Sequence, residues 1–244
     1  STEDEHGKNV AIGQDALLFQ NAGADAFNVA IGFEAGKSVT TGVENTIVGG
    51  LAGDALTTGT YNVAIGTHAL SSEDTGHRNV AVGYGALRYQ NNDAINYNTA
   101  VGYNAGAGIT TGTKNTIMGG LAGDALTTGV DNVAIGYFAL SAEDTGSSNV
   151  AIGKGALAAL NYDGLAYNIA IGHNAGAVST TGIHSVFIGG LSGDAITTGS
   201  DNIAIGYLAL STEDGHGRNI AIGSSALKLQ DAGSDAYNIA IGYD

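Results

Sequence analysis

Asn9-Val10-Ala11-Ile12-Gly13 is the first of fourteen copies of one pentad, Asn-aliphatic-Ala-Ile-Gly in its commonest form. The leading residue returns at Asn28, Asn45, Asn62, Asn79, Asn98, Asn115, Asn132, Asn149, Asn168, Ser185, Asn202, Asn219 and Asn238. The spacings are 19, 17, 17 and 17 residues, repeated in that order, so four rung types make a 70-residue super-repeat. Residues 45–70 and 115–140 agree at 21 of 26 positions, the mark of duplication. Self-similarity at a short fixed period is the signature of a solenoid, in which each unit buries its apolar surface against the next. The chain reads as a single repeat domain over 1–244, with no boundary inside the pattern.

Within the pentad the alternation is that of a strand. The first and third positions after the Asn share one face and hold Val10/Ile12, Val29/Ile31 and Val63/Ile65, with Thr46, Thr99 and Thr116 the polar exceptions. Ala and Gly occupy the other face. A strand apolar on both faces needs a cover on each side. The expectation is that Val and Ile fill the coil, and that the small Ala/Gly face lets neighbouring chains approach closely. In the third rung type Ala becomes Ile47, Ile117 or Phe187, and the residue three further on becomes Gly50, Gly120 or Gly190, which reads as volume compensation.

The rest of each rung predicts a second short strand, carrying Ala16, Ala35, Ala52 and Ala69, followed by turns. Thr40-Thr41-Gly42 and Thr57-Thr58-Gly59 read as corners where Gly supplies a positive φ. Asn at almost every rung start predicts a ladder in which each amide bonds the rungs above and below. At about 4.8 Å per rung, fourteen rungs make a rod of roughly 65 Å.

The pentad, followed by Ala-Leu or Ala-Gly, resembles the head repeats of trimeric autotransporter adhesins, the YadA-like head. In its 17-residue form with Thr-Thr-Gly turns it is similar to repeats of phage tail fibres and of surface proteins that carry a chaperone domain. The resemblance spans the whole chain; the rungs are three to five residues longer than the usual adhesin repeat. It implies a left-handed parallel β-roll, a homotrimer, an extracellular place on a cell surface or virion tail fibre, and a role in attachment to a host-surface glycan or protein. Residues 1–8 match the turn 211–218 and the last rung stops part-way, so a segment of a longer fibre is expected.

Composition narrows the function classes. The 244 residues carry 8 Lys and Arg against 23 Asp and Glu, a net charge of -15, and 40 Gly, with no Pro, Cys or Trp. That balance is unsuited to nucleic acid or an anionic membrane surface. Without Cys there are no disulfides and no thiolate metal sites. No stretch is apolar for the ~18 residues of a membrane span.

No catalytic, cofactor or metal residue is expected. The acid pairs Glu3-Asp4, Glu73-Asp74, Glu143-Asp144 and Glu213-Asp214 read as solvated turns, not as the separated carboxylates of a glycosidase. His6, His77 and His216 lie in the same turns, but Ser147-Ser148 replaces that pattern in one copy. Val48-Gly49-Gly50-Leu51-Ala52-Gly53 lacks the Lys-Ser/Thr of a phosphate loop. Thr pairs starting at Thr40, Thr57, Thr110, Thr127, Thr180 and Thr197 raise ice binding as an alternative, broken by other residues in the intervening rungs. A tailspike-like polysaccharide-active protein is the other alternative. The candidate receptor contacts are in the longer loops of the 19-residue rungs, 18–26, 88–97, 158–167 and 228–237: Tyr89, Asn91, Asn92, Tyr97, Tyr162, Asp163 and Tyr167.

Overall fold

The computed structural model describes residues 7–231 and 233–243. The chain is an all-β parallel β-solenoid of fourteen turns, divided into two compact units, Ser1–Thr128 and Gly129–Asp244. The first unit holds β1 (Val10–Ile12), β2 (Val29–Ile31), β3 (Thr46–Val48), β4 (Val63–Ile65), β5 (Val80–Val82), β6 (Thr99–Val101) and β7 (Thr116–Met118). The second holds β8 (Val133–Ile135), β9 (Val150–Ile152), β10 (Ile169–Ile171), β11 (Val186–Ile188), β12 (Ile203–Ile205), β13 (Ile220–Ile222) and β14 (Ile239–Ile241). Within each unit every strand pairs in parallel with the next, and equivalent residues face each other: Val10↔Val29, Ala30↔Ile47, Ile203↔Ile220.

Each turn contributes one strand, and the predicted second strand is absent among the described residues. The segment around Ala16, Ala35 and Ala52 is a run of turns. Its backbone still bonds the next coil, as in Leu17 N–H to Ala35 O (3.1 Å) and Phe19 N–H to Lys37 O (3.2 Å). The chain bends here through left-handed residues, Leu17 (φ 49°), Leu70 (φ 51°) and Leu140 (φ 52°) among them, which an extended strand cannot contain.

The faces of the strand are the reverse of the expectation. The middle residue points into the coil: Ala30, Ile47, Ala64, Ala100, Phe187 and Ala204 are all fully buried. Val and Ile point outward, with Ile12 58%, Ile65 37% and Ile171 37% exposed. The reason is volume. A 17-residue coil is narrow, and its interior is already filled from the opposite wall by Leu17, Leu70 and Leu87, or by Val39, Leu56 and Ile109, all buried. Opposite Leu17, Leu70 and Leu87 the strand carries Ala, and the larger Ile47 enters the coil only where Gly36 and Gly53 leave space for it.

The compensation for Ile47 also lies elsewhere than predicted. A Cβ on Gly50 would meet nothing within 4 Å, so that glycine relieves no crowding. A Cβ on Gly36 would come 2.8 Å from Ile47 Cδ1, and one on Gly53 2.9 Å from Leu56 Cδ1. Where these glycines stand, rungs of the other two types place a Leu followed three residues later by a polar side chain, as in Leu17 with Gln20, Leu70 with Glu73 and Leu87 with Gln90, the exception being Leu157 with Leu160. Gly36 and Gly53 are followed instead by the aliphatic Val39 and Leu56. Phe187 carries the exchange furthest, since a side chain on either Gly176 or Gly193 would strike its ring. Two ways of filling one cross-section thus alternate along the chain.

The corner glycines act by close approach. Gly42 and Gly59 lie outside the left-handed region, but a Cβ on Gly42 would sit 2.5 Å from Gly59 O and one on Gly59 2.6 Å from Gly76 O. The left-handed residue at this corner is the one before each rung start: Glu44 (φ 57°), Tyr61 (φ 61°), Arg78 (φ 61°), Tyr97 (φ 54°) and Tyr167 (φ 53°). Side chains at this position are thrown outward beside the strand face.

Candidate interaction surface

The Asn column runs along the inner edge of the strands. Asn28 Oδ1 accepts from the backbone N–H of Asn45 (2.8 Å), Asn45 Oδ1 from that of Asn62 (2.9 Å) and Asn62 Oδ1 from that of Asn79 (3.0 Å). Each amide nitrogen donates to the corner carbonyl that closes its own coil, Asn28 to Gly42 O (2.8 Å), Asn45 to Gly59 O (2.9 Å) and Asn62 to Gly76 O (2.9 Å). The same pattern links Asn132 with Asn149, Asn149 with Asn168, and Asn202 with Asn219. Ser185 takes its place in the column by accepting from Asn202 N–H (3.2 Å). Most of these groups are fully buried, so the column satisfies backbone groups that water cannot reach. It is not a surface for a ligand.

Three carboxylates read as solvated are buried. Glu73, Glu143 and Glu213 are fully enclosed. Glu73 accepts from Gly76 N–H (2.8 Å), Gln90 Nε2 (3.1 Å) and Asn96 Nδ2 (3.2 Å). Glu143 accepts from Gly146 N–H (2.7 Å) and Tyr162 N–H (3.3 Å), with Leu160 in place of Gln90. Burial pushes both carboxyls above the ordinary glutamate range, and the Gly76 and Gly146 N–H groups pull the other way. The residue sits at the interior position filled by Leu56 and Leu126 in other rungs, which is why it turns inward. Glu3, Asp4 and His6 lie outside the described residues.

Glu213 belongs to a cluster with Asp214, His216 and Asp231 whose ligand atoms lie within 4.8 Å of one another. Its oxygens are engaged internally, Oε1 with His216 Nδ1 (2.9 Å) and Oε2 with Gln230 Nε2 (3.4 Å).

The candidate contact residues separate into distinct places. Tyr162 and Asp163 share a surface pocket of about 460 Å³ with Asp144, Asn161 and Thr181. Asp163 Oδ1 accepts from Thr145 Oγ1 (2.6 Å). Asn91 is exposed, while Asn92 is half-buried and donates to Thr111 O (2.8 Å). Tyr89 stands apart beneath the Arg88 guanidinium, 5.3 Å from its ring centre. Tyr97 and Tyr167 are both about half exposed at the left-handed corner, Tyr97 against Arg78 and Tyr167 stacked on His184. The first hydroxyls of the Thr pairs are engaged within the coil: Thr40, Thr110 and Thr180 Oγ1 donate to the carbonyls of Thr57, Thr127 and Thr197, and Thr57 and Thr197 Oγ1 to those of Asp74 and Asp214.

Sequence reasoning expected an outward apolar strand face but assigned it to Ala and Gly; the face that is exposed is that of Val and Ile. Two columns run along each unit, both of Val and Ile in the second; in the first, one column is aliphatic throughout and ends at Met118, while the other is broken by Thr46, Thr99 and Thr116. Exposed rings border them at Phe33, Tyr84 and Tyr103 in the first unit and at Tyr137 and Tyr207 in the second. Seven strands at about 4.8 Å give a strip of roughly 30 Å in each unit. Continuous apolar surface of this extent marks an interaction site.

Nothing matched. Comparisons with protein-family models, with curated proteins and with solved structures returned no similar protein. Among the described residues no helix is long and apolar enough to cross a membrane.

Proposed function

We propose that this chain is a structural and adhesive fibre segment, the shaft or head of a surface adhesin or phage tail fibre, built as a homotrimer whose chains meet through the outward Val/Ile face. The observation that carries the reading is that face. A β-branched strip such as Ile12, Ile31 and Ile65, left partly exposed along successive rungs, is stable in water when another apolar surface covers it. A second copy offers a surface of the same pitch, because equivalent residues recur at every strand. The number three, the left-handed coil and the extracellular location come from the resemblance of the pentad to adhesin heads. The Asn column and alternating core supply rigidity, and the longer loops carry the attachment residues.

Light scattering on the purified chain tests this. Three times the single-chain mass is expected, falling to one when Ile65 and Ile171 are replaced by Lys. A native chain of single mass overturns the reading.

A further inference from the structure

Arg78 occupies the left-handed corner position immediately before Asn79. Lys8 and Arg218 hold the equivalent position before Asn9 and Asn219, and in those places the protein neutralises its own cation. Lys8 Nζ lies 2.7 Å from Asp25 Oδ2, and Arg218 pairs with Asp235 and, at 3.9 Å, with Asp201. The corresponding residues around Arg78 are different. Ile95 stands where Asp25 and Asp235 stand, and Tyr61 stands where Asp201 stands. Among the described residues no carboxylate lies within ion-pair distance of Arg78. Before Asn149 the cation itself is gone, replaced by Ser148, and Leu165 takes the place of Ile95. Arg78 is therefore a charge whose two internal counter-charges have been exchanged for an aliphatic and an aromatic side chain.

The guanidinium is held in place. It lies 5.6 Å from the Tyr61 ring centre and 5.7 Å from that of Tyr97, and its NH1 donates to Tyr97 Oη (3.0 Å). Contacts with two rings fix the plane of the fork and leave its remaining N–H groups to pair with a planar anion. Beside it a surface cavity of about 210 Å³ is lined by Thr60, Tyr61, His77, Arg78 and Ile95. Its floor is built by backbone: His77 N–H donates to Ala94 O (3.1 Å) and Asn96 N–H to His77 O (3.1 Å), which brings Ile95 beside His77. His77 Nδ1 accepts from Thr60 N–H (2.9 Å), so in the neutral ring the proton sits on Nε2, a donor.

We propose that this cavity binds one carboxylate-bearing sugar residue of a polyanionic glycan, a uronate or a related acidic sugar. Its carboxylate pairs with the Arg78 fork, its apolar ring face lies on Tyr61 and Ile95, and its hydroxyls accept from His77. The volume exceeds that of a bare carboxylate and suits one pyranose ring. In a chain of net charge -15, attraction for an anion has to be local, and a guanidinium freed of internal carboxylates supplies it. The proposal names the ligand class of the attachment reading above and rests on that reading for its role, although the binding does not require the trimer.

The test is titration calorimetry of the whole chain with trigalacturonate, the neutral galactotriose and a short acidic peptide as probes. Trigalacturonate is expected to bind, with at least about tenfold loss in Arg78→Gln, from the missing bidentate pair. Ile95→Asp keeps the arginine but restores the internal carboxylate of the other copies, and an equal loss is expected. No binding of trigalacturonate, unchanged binding by either variant, or equal binding of the neutral sugar or the peptide overturns the proposal. So does a change in light-scattering mass in Arg78→Gln, which would make the missing counter-charge a neighbouring copy's. Binding by a single-mass chain sinks the trimer and leaves this site standing; a trimer that does not bind does the reverse.

Discussion

Ile47→Ala and Gly36→Ala should each destabilise the solenoid, and together they should cost less than their sum. Ile47 is fully buried, and truncating it removes three carbons from the core, a loss of about 2–5 kcal/mol where the wall cannot collapse. Gly36→Ala alone places a methyl 2.8 Å from Ile47 Cδ1, 3.2 Å from Leu17 Cδ2 and 3.3 Å from Val39 Cγ2. That overpacking costs about 1–3 kcal/mol. The left-handed φ of 57° adds about 1–2 kcal/mol for a residue with a Cβ. In the double variant the tightest contact is gone, and the new methyl occupies part of the space vacated by Ile47. Relief of that contact and the regained burial give a coupling of about 1–3 kcal/mol. The assay is urea unfolding followed by circular dichroism on the native chain, both single variants and the double, at one protein concentration. Additivity to within about 0.5 kcal/mol would refute the claim that Gly36 exists to admit Ile47.

Two further perturbations separate roles that look alike in the sequence. Gly49 and Gly50 are neighbours, yet Gly49 has φ 132° and a Cβ there would lie 2.7 Å from Gly66 O, while one on Gly50 meets nothing; Gly49→Ala should lower the urea midpoint sharply and Gly50→Ala should leave it nearly unchanged. The buried glutamates set a pH dependence. With the folded-state carboxyls of Glu73 and Glu143 raised, the folded chain holds their protons to higher pH than the unfolded chain does. Their contribution therefore favours folding most at or below the ordinary glutamate value of 4.5 and is lost as pH rises through the raised folded value. Glu143→Gln should reduce the gain in urea midpoint on going from pH 7 to pH 5, and a variant with the native pH profile would contradict this.

Much of the fold was legible because the pentad states its own period. Strand positions, parallel order and the Asn column all follow from a residue pattern that recurs at 17 and 19 residues. The direction of the strand faces was not legible, because Ala and Val/Ile are both apolar and alternation alone is symmetric between inside and outside. What decides it is the width of the coil, set by the turn segment, where left-handed Leu17 and Leu70 reach across the interior. Glu73 and Glu143 were misread for a related reason: acid pairs in a turn look solvated until their position is matched to Leu56 and Leu126. The Arg78 cavity could have been found from sequence, by aligning the rungs and noticing Ile95 and Tyr61 at places held by Asp235 and Asp201.

The central claim is that the outward Val/Ile face is covered by other copies of the chain, and a thiol reports on this directly because the chain has no cysteine. Ile65 is 37% exposed in the single chain, and Thr58, at a corner away from the strand, is also exposed. Maleimide labelling of Ile65→Cys is expected to run at least about tenfold slower than that of Thr58→Cys, the protection that a buried interface gives. Equal labelling rates at the two positions would mean that the face is open to water, and would contradict the account.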